Sequence, residues 1–390
     1  MASVATRIAT ATPADRDRGV DALRALAILG VVLGHWMVTA WARGPGGTIR
    51  VSSPLIHLPE FTPASWVLQT LAVFFFVGGY AAARSLRAAT GRPAWVRAKM
   101  GRLLRPVGPP ALIWAGIAAG LMLNGMPPGS IRALVLPVAA PVWFLAVFAA
   151  LTSATPLLVR ARPGVLIVSA AGVVLAVDVG RFALGGPAWL GWLNLAAGWL
   201  VPYALGIAWG QGAFTSRRAA VGLLAGGTAG AVALVAGFGY PASMVGVTGA
   251  KVSNLSPPTL AAVCFGIAQV GLALLLRGPL TRLMRRPPLW AAVAMVNLSA
   301  MRIFLWHQTA LLVTVLVALR FGDLPGLLTS PAEPVWLLQR LAWLPVLALL
   351  LVLGLLPGML RGFFDDRASS SGSSPSGVPR TRRGSARPGS

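Results

Sequence analysis

The 390-residue chain is apolar and sparsely charged, with 56% hydrophobic residues, 11% charged residues and a mean hydropathy of +0.75. Soluble globular domains are about one quarter charged, so this composition excludes a soluble fold with an ordinary polar surface. It also excludes disorder over most of the length, which requires low hydrophobicity. We therefore expect one all-α, polytopic membrane bundle.

The net charge of +24 comes from 33 basic and 9 acidic residues. A charge of this size can indicate nucleic-acid binding, but here the arginines lie in short clusters between apolar runs. We expect membrane lipids and no nucleic acid as partners. The one cysteine, Cys264, excludes an intrachain disulfide and a cysteine metal cluster, and no metal site is expected.

Ten apolar runs are candidates for membrane spans, which need about 20 residues each. They lie near residues 25–42, 66–83, 107–123, 138–159, 164–178, 192–210, 219–238, 258–276, 298–319 and 338–360. The polar ends, 1–17 and 365–390, are predicted to be disordered, which leaves a membrane domain of residues 18–364. Gly222, Gly226 and Gly230 fall four apart in the seventh run and predict a close helix-packing face.

The distribution of basic residues predicts the orientation. With the N-terminus inside, 26 basic residues are cytoplasmic and 7 are outside, including Arg340. This asymmetry predicts a multi-pass plasma-membrane protein with both termini in the cytoplasm. The excess of arginine over lysine, with much alanine and glycine, is typical of a GC-rich bacterial source.

The first apolar run has a second interpretation as a cleaved signal peptide, because Ala40 and Ala42 form an Ala-x-Ala site. The run is longer than a usual signal core and carries a histidine. Both features favour a membrane anchor.

His35 is the first candidate for chemistry, because ionisable residues within spans are costly and usually functional. It lies ten residues into the first run, roughly 15 Å deep at about 1.5 Å per residue. Arg24 precedes it by eleven positions on the same helix face, about 16 Å away along the axis. Asp21 lies within ion-pair reach of Arg24. A neutral imidazole at His35 would be a competent general base near pH 7, whereas the alternative is a buried structural histidine.

Arg102 and Arg105 form an Arg-x-x-Arg pair just before the third run. Side chains three apart lie side by side on a helix, and two guanidiniums there would suit phosphate groups. Simple anchoring by the positive-inside rule is an equally good interpretation.

Three further candidates are His307, which lies within the ninth run, Tyr80 at the end of the second and Trp143 in the fourth. His307 would either orient His35 and bind substrate or make a structural hydrogen bond across helices. Local sequence favours close helix packing for the Tyr80 segment and a core or lipid contact for the Trp143 segment. His57, in the loop before the second run, is best interpreted as a solvated residue.

Several catalytic signatures are missing from the sequence. It contains no Walker loop, no Gly-x-Ser-x-Gly elbow and no His-Glu-x-x-His motif. These absences disfavour ATP-driven, serine-hydrolase and zinc-protease functions.

The chain resembles acyltransferase family 3 through an ordered set of short motifs. The first comprises residues 18–27 together with His35, in which Arg24 and His35 reproduce the family's spacing of a basic residue and a histidine. The others are Arg102-x-x-Arg105, the aromatic-glycine-tyrosine segment 74–80, Val142-Trp143-Phe144-Leu145 and Ile303-Phe304-Leu305-Trp306-His307. The chain departs from the family at Gly78, where serine is common, and at Phe304, where tyrosine is usual.

This resemblance implies a ten-span acyltransferase that uses cytosolic acyl-CoA as a donor substrate, with no permanently bound cofactor. It implies transfer of an acyl group, by default acetyl, to a hydroxyl of a carbohydrate, lipid or metabolite. His35 would then be catalytic with Arg24 as its motif partner, and Arg102 and Arg105 would bind acyl-CoA. Tyr80, Trp143, His307 and Asp21 would support substrate binding.

Two other functions remain compatible with the sequence. The chain could be a transporter or flippase for a lipid-linked or small polar molecule, with a binding histidine. It could also be a non-catalytic relative acting in assembly, against which the intact Arg24 and His35 argue.

Overall fold

The computed structural model describes the backbone of residues 4–371 and the side chains of residues 4–355. Its sixteen helices, in chain order, are α1 (Val4–Ala11), α2 (Arg18–Val38), α3 (Pro54–His57), α4 (Thr62–Leu68), α5 (Leu71–Arg87), α6 (Arg92–Leu104), α7 (Gly108–Leu123), α8 (Pro128–Ala139), α9 (Val142–Leu158), α10 (Pro163–Asp178), α11 (Leu193–Gly210), α12 (Arg217–Gly237), α13 (Leu260–Leu283), α14 (Pro287–Leu298), α15 (Ala300–Ala318) and α16 (Val335–Ser371). One antiparallel hairpin, β1 (Ala40–Arg43) and β2 (Ile49–Ser52), follows α2.

Within the described residues, ten helical segments are long and apolar enough to cross a membrane. They are Arg18–Val38, Pro59–Arg87, Arg92–Leu123, Pro128–Leu158, Pro163–Ala183, Ala188–Gly210, Arg217–Gly237, Leu260–Leu283, Ala300–Ala318 and Val335–Leu355. This confirms the predicted all-α, ten-span membrane fold. The second, third and fourth spans each join two helices, and the predicted third and fourth runs, 107–123 and 138–159, covered mainly the second helix of each pair.

Contacts between helix ends show that the spans alternate in direction. At one end, called the basic end, Arg277 pairs with Asp17 at 2.6 Å and Arg87 donates to the Gly210 carbonyl. At the other, called the cavity end, Arg43 pairs with Asp323 at 2.6 Å. The starts of odd-numbered spans therefore lie at the basic end and the starts of even-numbered spans at the cavity end.

Helices α5 and α11 form the tightest contact in the interior. A Cβ atom added at Gly79 would collide with the Tyr203 carbonyl oxygen, and one at Gly206 would collide with the Phe76 carbonyl oxygen. Both obstacles are backbone atoms, so glycine is needed at both positions for the two helices to approach. Phe75 and Phe76, which are fully buried, pack beside this contact.

The predicted glycine face of α12 is partly wrong. A Cβ at Gly222 or Gly226 would meet nothing within 4 Å. The contact with α13 is made instead by Gly227, whose Cβ would reach the Ala268 backbone, and by Gly230 against Cys264. The two contacting glycines are three residues apart, and of the predicted row only Gly230 faces α13.

The N-terminal segment predicted to be disordered contains α1. This helix packs on α14, with Ile8 and Ala9 against Trp290, whose indole donates to Thr12 Oγ1 at 2.7 Å. The prediction missed the helix because its few apolar residues gain burial only from a partner far along the chain. At the other end α16 continues to Ser371, beyond the predicted limit at residue 364. The rest of the predicted disordered tail, 372–390, lies outside the described residues.

Candidate active site

A cavity of about 540 Å³, called the histidine cavity, lies at the cavity end of the bundle. His35 of α2 forms part of its wall together with Trp143, Phe304 and Gln308. The loops 51–53 and 245–256 form its rim. The sequence-predicted residues His35 and Trp143 therefore meet at one concave site, whose apolar wall carries a few polar groups in the manner of small-molecule sites.

His35 and His307 lie close together, with ring centroids 5.2 Å apart. The Gln308 amide nitrogen is 3.5 Å from His35 Nδ1 and donates to Thr39 Oγ1 at 3.2 Å. Trp36 donates from its indole nitrogen to the His307 carbonyl at 2.9 Å, which ties α2 to α15 beside the pair. Two helices separated by about 270 residues thus hold the two histidines in fixed relative positions.

The protonation pattern of His307 follows from its neighbours. Its Nδ1 lies 2.6 Å from the Phe304 carbonyl oxygen, which can only accept, so Nδ1 carries the proton. Nε2 then carries a lone pair, and it has no hydrogen-bond partner among the described residues. This ring nitrogen is therefore a buried hydrogen-bond acceptor without a partner, next to His35 but outside the lining of the histidine cavity.

Arg340 is a buried residue that the sequence analysis placed outside the membrane. It lies in the tenth span with 0% exposure, and its Nη2 donates to the Thr39 carbonyl at 2.7 Å. Thr39 caps α2, so a cation here stabilises the carboxyl end of the helix that carries His35. The sequence carried a signal for the role of Arg340, because a charged residue inside a membrane span is usually functional. The error came from placing the span boundary near Arg340.

Asp21 and Arg24 lie at the basic end of α2. Asp21 accepts from Arg16 at 2.6 Å, and Arg24 is 3.6 Å from the same carboxylate, so the predicted ion pair is present. The hydrogen bond to Asp21 raises the pKa of Arg16 above its ordinary value. Lys99 of α6 has Arg24 and Arg102 among its charged neighbours. Three cations from two helices, Arg24, Lys99 and Arg102, therefore lie near one another, and Arg24 is the one of them paired with Asp21.

Arg102 and Arg105 do not form a pocket by themselves. Both side chains are exposed at the end of α6, and neither lines a cavity identified in the described part of the chain. Arg102 joins the cation group through Lys99, whereas Arg105 lies one turn further along. Lys99 is the member of this group that sequence reasoning missed.

Tyr80 lies at the basic end, far from the histidine cavity. Its ring stacks on Trp209 at 4.2 Å and its hydroxyl accepts from Arg84 at 2.9 Å. Together with Arg87 and Arg277 these residues line a second cavity of about 560 Å³. The structure therefore separates Tyr80 from His35, although both were predicted to serve one reaction.

The two departures from the family pattern have simple packing explanations. A Cβ at Gly78 would collide with the Phe148 ring, so a serine would not fit unless Phe148 moved. Phe304 lies with its ring 5.0 Å from Phe144 and 5.9 Å from His307, inside an aromatic cluster. Gly78 does not line the histidine cavity, whereas Phe304 does and lacks the hydroxyl that tyrosine would bring there.

The fold and the histidine cavity define a multi-pass membrane protein with a site between its helices. Residues 17–360 match the family described as an acyltransferase domain, acyltransferase family 3. The match covers nearly the whole chain, so the chain belongs to this family of membrane acyltransferases. No curated protein and no solved structure in the comparisons matches it.

Proposed function

We propose that the protein transfers an acyl group, by default acetyl, from cytosolic acyl-CoA to a hydroxyl of a carbohydrate, lipid or metabolite. The observation that carries this proposal is the position of His35, in the wall of the histidine cavity and 5.2 Å from His307. Membership of an acyltransferase family supports the reaction type. No permanently bound cofactor is needed for this chemistry.

In this reaction His35 acts first as a general base and then as a general acid. The imidazole takes the proton of the acceptor hydroxyl, whose oxygen attacks the thioester carbonyl carbon. The C–S bond then breaks, and the proton passes from His35 to the departing CoA sulfur. His307 and Gln308 are positioning residues in this scheme, because they contact His35 and define its orientation. Trp143 forms part of the acceptor wall.

The donor is proposed to bind at the basic end. The phosphates of acyl-CoA need cations, and Arg24, Lys99 and Arg102 provide them on one side of α2. Arg105 extends this surface by one turn. Asp21 limits the charge excess and holds Arg24 in place. The thioester would then reach along α2 toward His35, over roughly 16 Å at about 1.5 Å per residue.

The donor's location requires the basic end to face the cytoplasm. In a Cys264→Ala background, we expect Ala250→Cys at the cavity end to react with a membrane-impermeant maleimide in intact cells. Thr215→Cys at the basic end should react only after the membrane is opened. Both positions are exposed, so accessibility within the fold is matched. Labelling of Thr215→Cys in intact cells would invert the proposed orientation.

The activity itself is tested by following free CoA released from acetyl-CoA by the protein in lipid nanodiscs. A cell-envelope carbohydrate extract should raise the rate, and longer acyl-CoAs extend the test to other donors.

The rival function is transport. The interruption of the second span at Gln69 and Thr70 favours it, since broken helices line transporter sites. Movement of the extract's components across vesicles without CoA release would support transport instead.

Arg102→Ala is expected to raise the KM for acyl-CoA by about 10–100-fold, because a charge-assisted hydrogen bond contributes about 1.5–3 kcal/mol. The kcat at saturating donor should change little, since the arginine is far from His35. Arg218→Ala is the matched control, an exposed arginine at the same end that lines neither the histidine cavity nor the cavity beside Tyr80. Equal KM values for both variants would remove Arg102 from the donor site.

A further inference from the structure

A groove of about 330 Å³, called the membrane groove, runs along the outside of the bundle between α2, α5, α12 and α13. Its lining is mostly aliphatic and includes Leu26 and Leu272, which are 50% and 44% exposed. These residues lie within membrane spans, so the groove faces the hydrocarbon of the bilayer. A hydrocarbon chain is therefore the chemically matched occupant.

The membrane groove adjoins the histidine cavity at one point. Thr70 lines both, at the two-residue interruption between α4 and α5. Its hydroxyl donates to the backbone carbonyl of Ala27 in the first span at 2.7 Å. Non-helical backbone at membrane depth is tolerated where it is buried or lines a cavity. The interruption thus forms the partition between a lipid-facing groove and the proposed reaction site.

Two buried amide groups flank this partition with unused acceptors. Gln69 lines the histidine cavity at 6% exposure, and Gln269 lines the membrane groove at 8% exposure. The Gln269 amide nitrogen donates to the Gln69 carbonyl. The side-chain oxygens of both residues have no hydrogen-bond partner in the described chain. A buried acceptor left unpaired is costly, so a ligand with hydroxyl donors would gain from binding beside it.

The charge of the lining also restricts which polar headgroup a bound lipid can carry. Among the described residues that line the groove and the cavity, His35 is the one ionisable side chain. A phosphate group there would lose water without gaining a cation. A neutral, hydroxyl-rich headgroup avoids this cost.

We propose that the acceptor is a neutral glycolipid, whose hydrocarbon chain lies in the membrane groove while its sugar enters the histidine cavity past Gln69 and Thr70. This inference rests on the proposed function and specifies its acceptor. The hydroxyl to be acylated reaches His35 from the membrane side, and the sugar's other hydroxyls donate to the side-chain oxygens of Gln69 and Gln269.

The test measures binding without turnover. The probe is dodecyl glucoside with a diazirine on its chain, placed in phosphatidylcholine nanodiscs with the full chain and mapped by mass spectrometry after photolysis. We expect cross-links concentrated in residues 66–73 and 265–276. Leu272→Trp should lower them by about tenfold or more, by filling the groove. Val168→Trp, at a 72% exposed position on α10, should leave them unchanged.

Two results would overturn the inference. One is even cross-linking over all lipid-facing helices. The other is equal labelling of the groove by a diazirine phosphatidylcholine, which would make it an ordinary lipid contact. The proposed function is tested separately by CoA release. If dodecyl glucoside is acylated no better than glucose, and equally well by wild type and Leu272→Trp, the acyltransferase function is retained and the glycolipid acceptor is rejected. Groove labelling without CoA release from any donor would reject the enzyme and retain the site.

Discussion

Replacing His35 with alanine is expected to lower acyl transfer by about 10²–10⁴-fold, the usual contribution of a general acid–base group. The kcat should fall with little change in the KM for acyl-CoA, because the donor's phosphates are proposed to bind at the other end of α2. The measurement is CoA release and acylated product, with wild type and variant in the same nanodiscs.

His57→Ala is the matched control for this substitution. His57 belongs to the same end of the bundle, but it is exposed, and its ring nitrogen Nε2 lies 3.5 Å from the Ser52 hydroxyl. We expect its activity to remain within about twofold of wild type, as for surface substitutions that change stability by less than about 0.5 kcal/mol. Full activity of a well-folded His35→Ala protein would remove the proposed mechanism.

The second large effect is expected from Gly206→Leu, and it concerns folding. The Cβ atom would collide with the Phe76 carbonyl oxygen, which cannot move away by changing a side-chain rotamer. Inserting methylenes into a packed core costs about 1–3 kcal/mol, and a collision with backbone should cost more. We expect little monodisperse protein after extraction and a clearly lower unfolding temperature.

Gly226→Leu provides the comparison for that experiment. It places the same side chain in a spanning helix at a position with nothing within 4 Å, where the added leucine faces lipid. Its yield and unfolding temperature should match those of wild type. Equal stability of the two variants would show that α5 and α11 do not approach as described.

The two substitutions separate an effect on catalysis from an effect on folding. His35→Ala should fold normally and lose activity, because its ring lines an open cavity. Gly206→Leu should lose folded protein, with the specific activity of any remaining molecules unchanged. A variant that lost both properties in proportion would be a folding variant, whichever residue it changed.

The number of spans and their order could be read from the sequence because hydrophobicity is a local property. A run of about 20 apolar residues satisfies the bilayer wherever its neighbours lie. His35 stood out for a related reason, since an ionisable group in such a run is visible without knowing the fold. The spacing of Arg24 and His35 on one helix follows from helical geometry alone.

The partners of His35 could not be read in this way. Gln308 and Arg340 are close to α2 only because spans nine and ten pack against the first. The separation of Tyr80 from the histidine cavity likewise depends on which end of the second span reaches which neighbour. The rotation of α12 decides which of its glycines touch α13, and this rotation cannot be read from the spacing of the glycines along one helix.

The sequence by itself thus determined the membrane class, the ten spans and a histidine within the first, which the structure places in the last turn of α2. Only the tertiary structure decided that the second span is interrupted beside that histidine, and that a lipid-facing groove meets the cavity there. The physical reason is that composition and periodicity act within one helix. A cavity is formed by side chains from several helices, and its shape depends on how those helices pack.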